Sequence, residues 1–251
     1  MDDNQTNNSS EDFKIWELSP GFIRFILKIN QELYIERINR YFGEFETRIM
    51  HKSSYDKKRL KPIGFTGSFF EEYSKNSNQY CFDGNDVSAA ISLSITGSGF
   101  WVASLLKEKI DLSYFNKHDY NFCISDAEVD FFDKPRIKEI YKQLKSINGI
   151  SHVTASKLLA SKRPNLFPIF DTDVSSLFLR SDGTSWNRKV SYLDWCKSWQ
   201  KVMADTDIRI LLAEISKGTM NVCQPLRALD VIFWLESRDE EKSLTVLPVN
   251  S

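Results

Sequence analysis

Between Ile147 and Val174 the chain reads I-N-G-I-S-H-V-T-A-S-K-L-L-A-S-K-R-P-N-L-F-P-I-F-D-T-D-V, which places a glycine turn and an isolated carboxylate, Asp171, on one stretch. Ile137, Ile140, Tyr141, Leu144 and Ile147 recur at helical spacing from Arg136 to Ile147, and a second helix is expected from Val153 to Ala160 until Pro164 stops it. Asn148-Gly149-Ile150-Ser151 would then be a tight turn between two helices, with Gly149 supplying the backbone freedom the turn needs. The first free N–H groups of the second helix, at the positive end of its dipole, attract phosphate. A phosphate-gripping turn followed by a lone carboxylate points to chemistry on nucleic acid.

The charge around the turn agrees. From Lys134 to Asn165 there are eight basic residues, Lys134, Arg136, Lys138, Lys142, Lys145, Lys157, Lys162 and Arg163, against Glu139 alone. Such a segment reads as a patch that tracks a nucleic-acid backbone. Gly149, Ser151, His152, Thr154, Lys157, Lys162 and Arg163 are therefore the expected DNA contacts, the plain alternative being a solvated basic face.

The pattern resembles the helix-hairpin-helix of the DNA glycosylase superfamily, whose turn reads L-P-G-V-G-x-K-T-A and is followed by a catalytic Asp in P-x-x-D-x-x-V. The counterparts here are I-N-G-I-S-H-V-T-A and P-I-F-D-T-D-V, in register without a gap. The resemblance gives Gly149 the place of the hairpin glycine, opens the second helix at Thr154 and Ala155, and makes Asp171 the catalytic aspartate. It spans roughly residues 85 to 210, and its specific part is confined to 147 to 174. Ser151 stands where a second glycine is usual, and Val153 stands where bifunctional members carry their Schiff-base lysine. The implied enzyme is monofunctional: water attacks the sugar and an abasic site remains. A second likeness, narrower, is to an uncharacterised bacterial family with K-R-P and L-D-V signatures, here Lys162-Arg163-Pro164 and Leu229-Asp230-Val231. F-T-G-S-F-F and N-D-V-S-A-A are similar to its opening elements, which suggests that residues 60 to 236 were inherited as one unit.

Breaking an N-glycosidic bond passes through an oxocarbenium-like sugar, so a carboxylate beside the anomeric carbon stabilises the developing charge and orients water. Asp171 would fill that role; the bland alternative is a helix N-cap before Thr172-Asp173-Val174, and both roles can coexist. The base must also leave the duplex stack and enter a pocket. Trp101 and Phe69, with Phe100, are the pocket candidates, and core packing is the competing explanation for each. The partner implied is double-stranded DNA with a damaged or modified base, in repair or in defence against phage. The rival reading is a non-catalytic DNA-binding module; a third is a helical protein-interaction domain that binds no nucleic acid.

The elements that must position these residues are helical. With 251 residues, 41% hydrophobic and 13% aromatic, the chain can bury a sizeable core. No alternating strand series, internal repeat, phosphate loop or dinucleotide motif is present. The expected fold is mainly α, similar to helix-hairpin-helix DNA glycosylases, in two closely packed helical lobes. Residues 1–12 should be a disordered tail, 13–84 an N-terminal helical lobe, 85–210 the glycosylase-like core, 211–236 C-terminal helices packing on the lobes, and 237–251 a mobile tail. Ser19-Pro20 opens a helix expected to continue toward Tyr41, Asp83-Gly84-Asn85-Asp86 opens another, and Asp171 or Thr172 should cap one running through Leu179. Leu193 to Met203, a helix capped by Asp205 or Thr206 and ended by Gly218, and a last helix from Pro225 complete the reading.

A net charge of −1 excludes a generic polyanion binder, so a nucleic-acid site must be a local surface. Cys81, Cys123, Cys196 and Cys223 lack the spacing of an iron–sulfur cluster or zinc site, and His51, His118 and His152 have no ligand spacing either. No cofactor or metal is expected. With no long apolar run and no basic-then-apolar leader, a cytoplasmic location without a membrane partner is expected.

Overall fold

In a computed structural model of the chain, residues 16–42, 51–52, 60–61, 66–95, 99–117, 120–180, 183–186, 191–217 and 225–237 are described. The structure is mainly α-helical, with eleven helices among those residues. Asp182, Gly218, Cys223, His118 and nearly all of both expected tails lie outside them.

Local sequence signals place the helices. Ser19 caps α1 (Pro20–Ile29), its hydroxyl accepting from Phe22 N at 3.5 Å. The expected single helix breaks at Asn30, whose side-chain amide and backbone N–H both donate to Ile26 O, at 3.1 and 3.2 Å; α2 (Gln31–Phe42) restarts immediately. A short side-chain amide competing for the helical carbonyl is the physical reason. After α3 (Phe70–Lys75), Asp83 and Asp86 form a reciprocal capping box at the start of α4 (Gly84–Ser92), and α5 (Gly99–Lys107) follows. Then come α6 (Pro135–Ser146), α7 (His152–Lys162) and α8 (Thr172–Ser176). The last three are α9 (Tyr192–Met203), α10 (Thr206–Ile215) and α11 (Pro225–Glu236).

The helix expected through Leu179 is shorter. It ends at Ser176, and Phe178–Leu179 instead pairs in parallel with Trp16–Glu17, Trp16 N donating to Leu177 O at 2.8 Å. Backbone groups freed at the helix end are taken by a segment more than 150 residues away in sequence, a partner no local pattern reveals. The other strand pair is His51–Lys52 with Leu60–Lys61, antiparallel.

Two packing groups interleave along the chain. Helix α3 packs on α4 and α7, and α6 also packs on α7; α1 and α2 pack on α10, while α11 touches α2, α8 and α10. Helix α9 buries Tyr192, Trp195, Cys196, Trp199, Val202 and Met203, one stripe at helical spacing, each large side chain contributing about 1.5–3 kcal/mol over its exposed state. Trp195 meets Trp186 and Trp199 edge-on at 5.1 and 5.5 Å, and Phe178 meets Phe233 at 5.0 Å. Helix α7 differs: every residue from Thr154 to Lys162 is buried, so it has no solvent face. Ala155, Ser156, Ala160 and Ser161 let neighbours approach closely, and its polar groups must find partners inside.

A buried network ties α11 to α2, α3 and the segment before α3. Arg227 donates to Glu71 Oε1 at 2.8 Å, Tyr41 Oη at 2.9 Å and Gly67 O at 3.2 Å, and it also pairs with Asp230. Any side chain at position 67 would strike Tyr41 Oη, 2.0 Å from an added Cβ, so glycine there is a packing requirement.

Candidate active site

The turn between α6 and α7 is built as its sequence suggests. Gly149 has φ 89°, a left-handed conformation that favours glycine. Ile147 and Ile150 are buried on either side of it, Ile150 N donates to Ile147 O at 3.1 Å, and Lys145 Nζ latches Ile150 O at 2.8 Å. Ser151 then caps α7, its Oγ accepting from Thr154 N at 3.1 Å.

Asp171 is held by an extended segment whose carbonyls and N–H groups are met by side chains. Tyr192 Oη donates to Pro168 O at 2.8 Å, Trp195 Nε1 donates to Ile169 O at 3.3 Å, and Phe170 N donates to Ser156 Oγ at 3.0 Å. The last bond fastens the segment directly to α7. Asp171 Oδ1 accepts from Asp173 N at 2.9 Å and so caps α8. Its other oxygen, Oδ2, lies 3.4 Å from Lys157 Nζ. The cap and the reactive-carboxylate readings thus use different oxygens of the same group.

Both side chains face a cavity of about 330 Å³ whose wall includes Ser94, Ser151, Thr154, Lys157, Asp171 and Trp234. Lys157 also donates to Leu93 O at 2.6 Å. The next residue, Ser94, has φ 64°, a left-handed conformation unusual for serine, at the cavity's edge. Burial lowers the Lys157 pKa; Asp171 and Asp230 pull it back up, and Arg227 pushes it down. For Asp230, burial raises the carboxyl to about 6, Arg227 opposing and Asp171 adding to the rise.

Asp171, Ser151, Thr154 and Lys157 therefore come together, whereas the other expected site residues do not line this cavity. Gly149 and His152 remain in the turn. His152 Nδ1 is hydrogen-bonded to the Tyr141 hydroxyl, and burial, with Lys145 nearby, lowers its pKa. Trp101 is packed in the core and Phe69 is partly exposed elsewhere.

Lys162 and Arg163 require a correction: they are 0% and 2% exposed and cannot meet a DNA backbone. Lys162 pairs with Asp86 and donates to Asn78 O at 2.6 Å; Arg163 donates to Phe115 O at 2.9 Å and Gln79 Oε1 at 2.5 Å. The expected basic patch is largely dismantled by acids from outside its segment. Lys134 pairs with Glu128, Arg136 with Asp111 and Lys138 with Asp133. Lys142 is exposed.

Trp234, Ser94, Ile95 and Asp173 are cavity residues that sequence reasoning missed. Trp234 comes from α11, more than 60 residues beyond Asp171, and no local motif marks it. Among the described residues no cluster of His, Cys, Asp or Glu could hold a metal ion, and no helix is long and apolar enough to cross a membrane. Cys81, Cys123 and Cys196 are free thiols.

The chain belongs to a family of unknown function, DUF6308, which matches residues 35–237. The match spans the K-R-P and L-D-V segments and carries no link to the helix-hairpin-helix glycosylases. No curated protein and no solved structure matches the chain.

Proposed function

We propose that this protein is a monofunctional DNA glycosylase, similar in fold and site to the helix-hairpin-helix superfamily, that hydrolyses the N-glycosidic bond of a damaged or modified base. The supporting observation is that Asp171 Oδ2 faces a cavity built on the start of α7, while Oδ1 alone serves the α8 cap. At about 330 Å³ the cavity has the size of a small-ligand site, too small for a duplex, so the base must be flipped out to enter. The carboxylate then stabilises the oxocarbenium-like sugar and takes the proton of the attacking water, leaving an abasic site. The first N–H groups of α7, at the positive end of its dipole, hold the adjoining phosphate. A pure DNA-binding module would depend on an exposed basic face, and the burial of Lys157, Lys162 and Arg163 weakens that rival.

The test is base release. Wild type and Asp171→Asn are incubated, without added metal, with genomic DNA and with phage DNA carrying modified cytosines, and released bases and abasic sites are measured by mass spectrometry. The expected result is release by wild type and a loss of about 10²–10³-fold in the variant, the scale of one electrostatic catalytic group. Equal release by both proteins, or none by wild type from any DNA, would overturn the proposal. Release from phage DNA alone favours antiviral defence; release from damaged genomic DNA favours repair.

A further inference from the structure

We infer that Lys157 is the acid that protonates the departing base and that Asp171 hands the proton back to it. The inference rests on the glycosidic reading above and adds what that reading lacks. When the bond from C1′ to an uncharged base breaks, the electron pair stays on the base nitrogen, and a proton donor is needed to stabilise it.

The cavity wall offers one ammonium among hydroxyls and carboxylates, that of Lys157. A lysine has three N–H bonds; here one goes to Leu93 O at 2.6 Å and one to Asp171 Oδ2 at 3.4 Å, and among the described residues the third has no acceptor. Lys157 lies one helical turn beyond Val153, and both line the same cavity. Its burial, opposed by Asp171, lowers its pKa and makes it a better acid than a surface lysine. Lys162, five residues later, also gives two N–H bonds, to Asp86 and Asn78, but it is wholly covered and lines no part of this cavity, as a purely structural lysine would be.

The proton balance closes on these two side chains. The C1′–N bond breaks and the Lys157 ammonium gives one proton to a nitrogen or carbonyl oxygen of the base, becoming an amine. Water adds through oxygen to C1′ and loses a proton to Asp171. Asp171 passes that proton across the 3.4 Å contact to the amine. One water is consumed, the base leaves neutral, and both side chains regain their starting charge.

The experiment compares leaving groups. Genomic and modified-cytosine phage DNA are offered untreated and after dimethyl sulfate treatment, which creates N-methylated purines whose rings already carry positive charge and need no proton. In Lys157→Arg the charge remains but the guanidinium does not give up its proton. Release of uncharged bases should fall about 10²–10⁴-fold, and release of the methylated purines less than ten-fold. Asp171→Asn should lose both classes. If Lys157→Arg fails to fold by circular dichroism, Lys157→Ala with added methylammonium replaces it, and recovery of uncharged-base release is expected. Equal losses for both classes, no loss for uncharged bases, or wild-type action on charged bases alone would each overturn the proton-donor role while leaving the glycosidic reading intact. No release by wild type from any of these DNAs would overturn both.

Discussion

At the C-terminal end of α7, Lys162 and Arg163 are enclosed, and Asp86, Asn78, Gln79 and Phe115 meet their donors. At the middle of the same helix, Lys157 is almost as deeply covered, yet it has one firm bond to a carbonyl, one longer contact to Asp171, and a cavity beside it. Burial alone therefore does not separate a structural cation from a reactive one. What separates them is access and the tightness of the counter-ion: Lys162 is wholly enclosed and held closely by Asp86, whereas Lys157 meets its carboxylate at 3.4 Å and lines a cavity that a ligand can enter.

The largest expected effect comes from breaking the enclosed end. Asp86→Ala strands the Lys162 ammonium in the core and should cost about 3–5 kcal/mol, read by urea denaturation. Asp171→Asn should move the same midpoint little, since Asn caps a helix about as well as Asp. A loss of stability in Asp171→Asn matching that of Asp86→Ala would make the two ends alike. A smaller change is expected for Ser151→Ala, which removes the α7 cap at about 1 kcal/mol and, if the turn holds phosphate, also weakens DNA binding in gel shifts.

A pH-dependent effect is expected at Asp230. Its carboxyl is raised by burial to about 6, above the unfolded value near 3.9, so its contribution to stability is present below about pH 4 and lost as pH rises through 6. Asp230→Asn does not ionise. Its melting temperature relative to wild type should therefore climb between pH 4.5 and 7, and a constant difference would show that Arg227 neutralises the burial cost.

The local part of this architecture was readable. The Asp83 start signal, the Ser19 and Asp205 caps and the glycine turn each depend on residues within a few positions of one another, and the corresponding helices stand where those residues put them, α7 starting at His152, one residue before the expected Val153. Asp171, the residue that the likeness to the glycosylases singled out, lies at a cavity. Counting charges within 134–165 failed because Asp86, Asp111, Glu128 and Asp133, which pair with that segment, lie outside it. H-V-T-A-S-K-L-L-A-S-K has no apolar stripe flanked by a polar face, so periodicity gave no sign of which of its lysines would face solvent. Trp234 and Ser94 carried no comparable signal, since the cavity wall they form exists only after α11 and the end of α4 meet α7.

Ser156 has a consequence for recognition. Its hydroxyl donates to Val153 O at 2.8 Å and accepts from Phe170 N at 3.0 Å, clamping the residue before Asp171 to the helix that begins at the turn. On the proposed reading, phosphate grip and carboxylate form a ruler of fixed length. The sugar–phosphate spacing of DNA is the same beneath every base, so the ruler brings any flipped nucleotide to the same place, and discrimination between bases falls to the cavity that receives them.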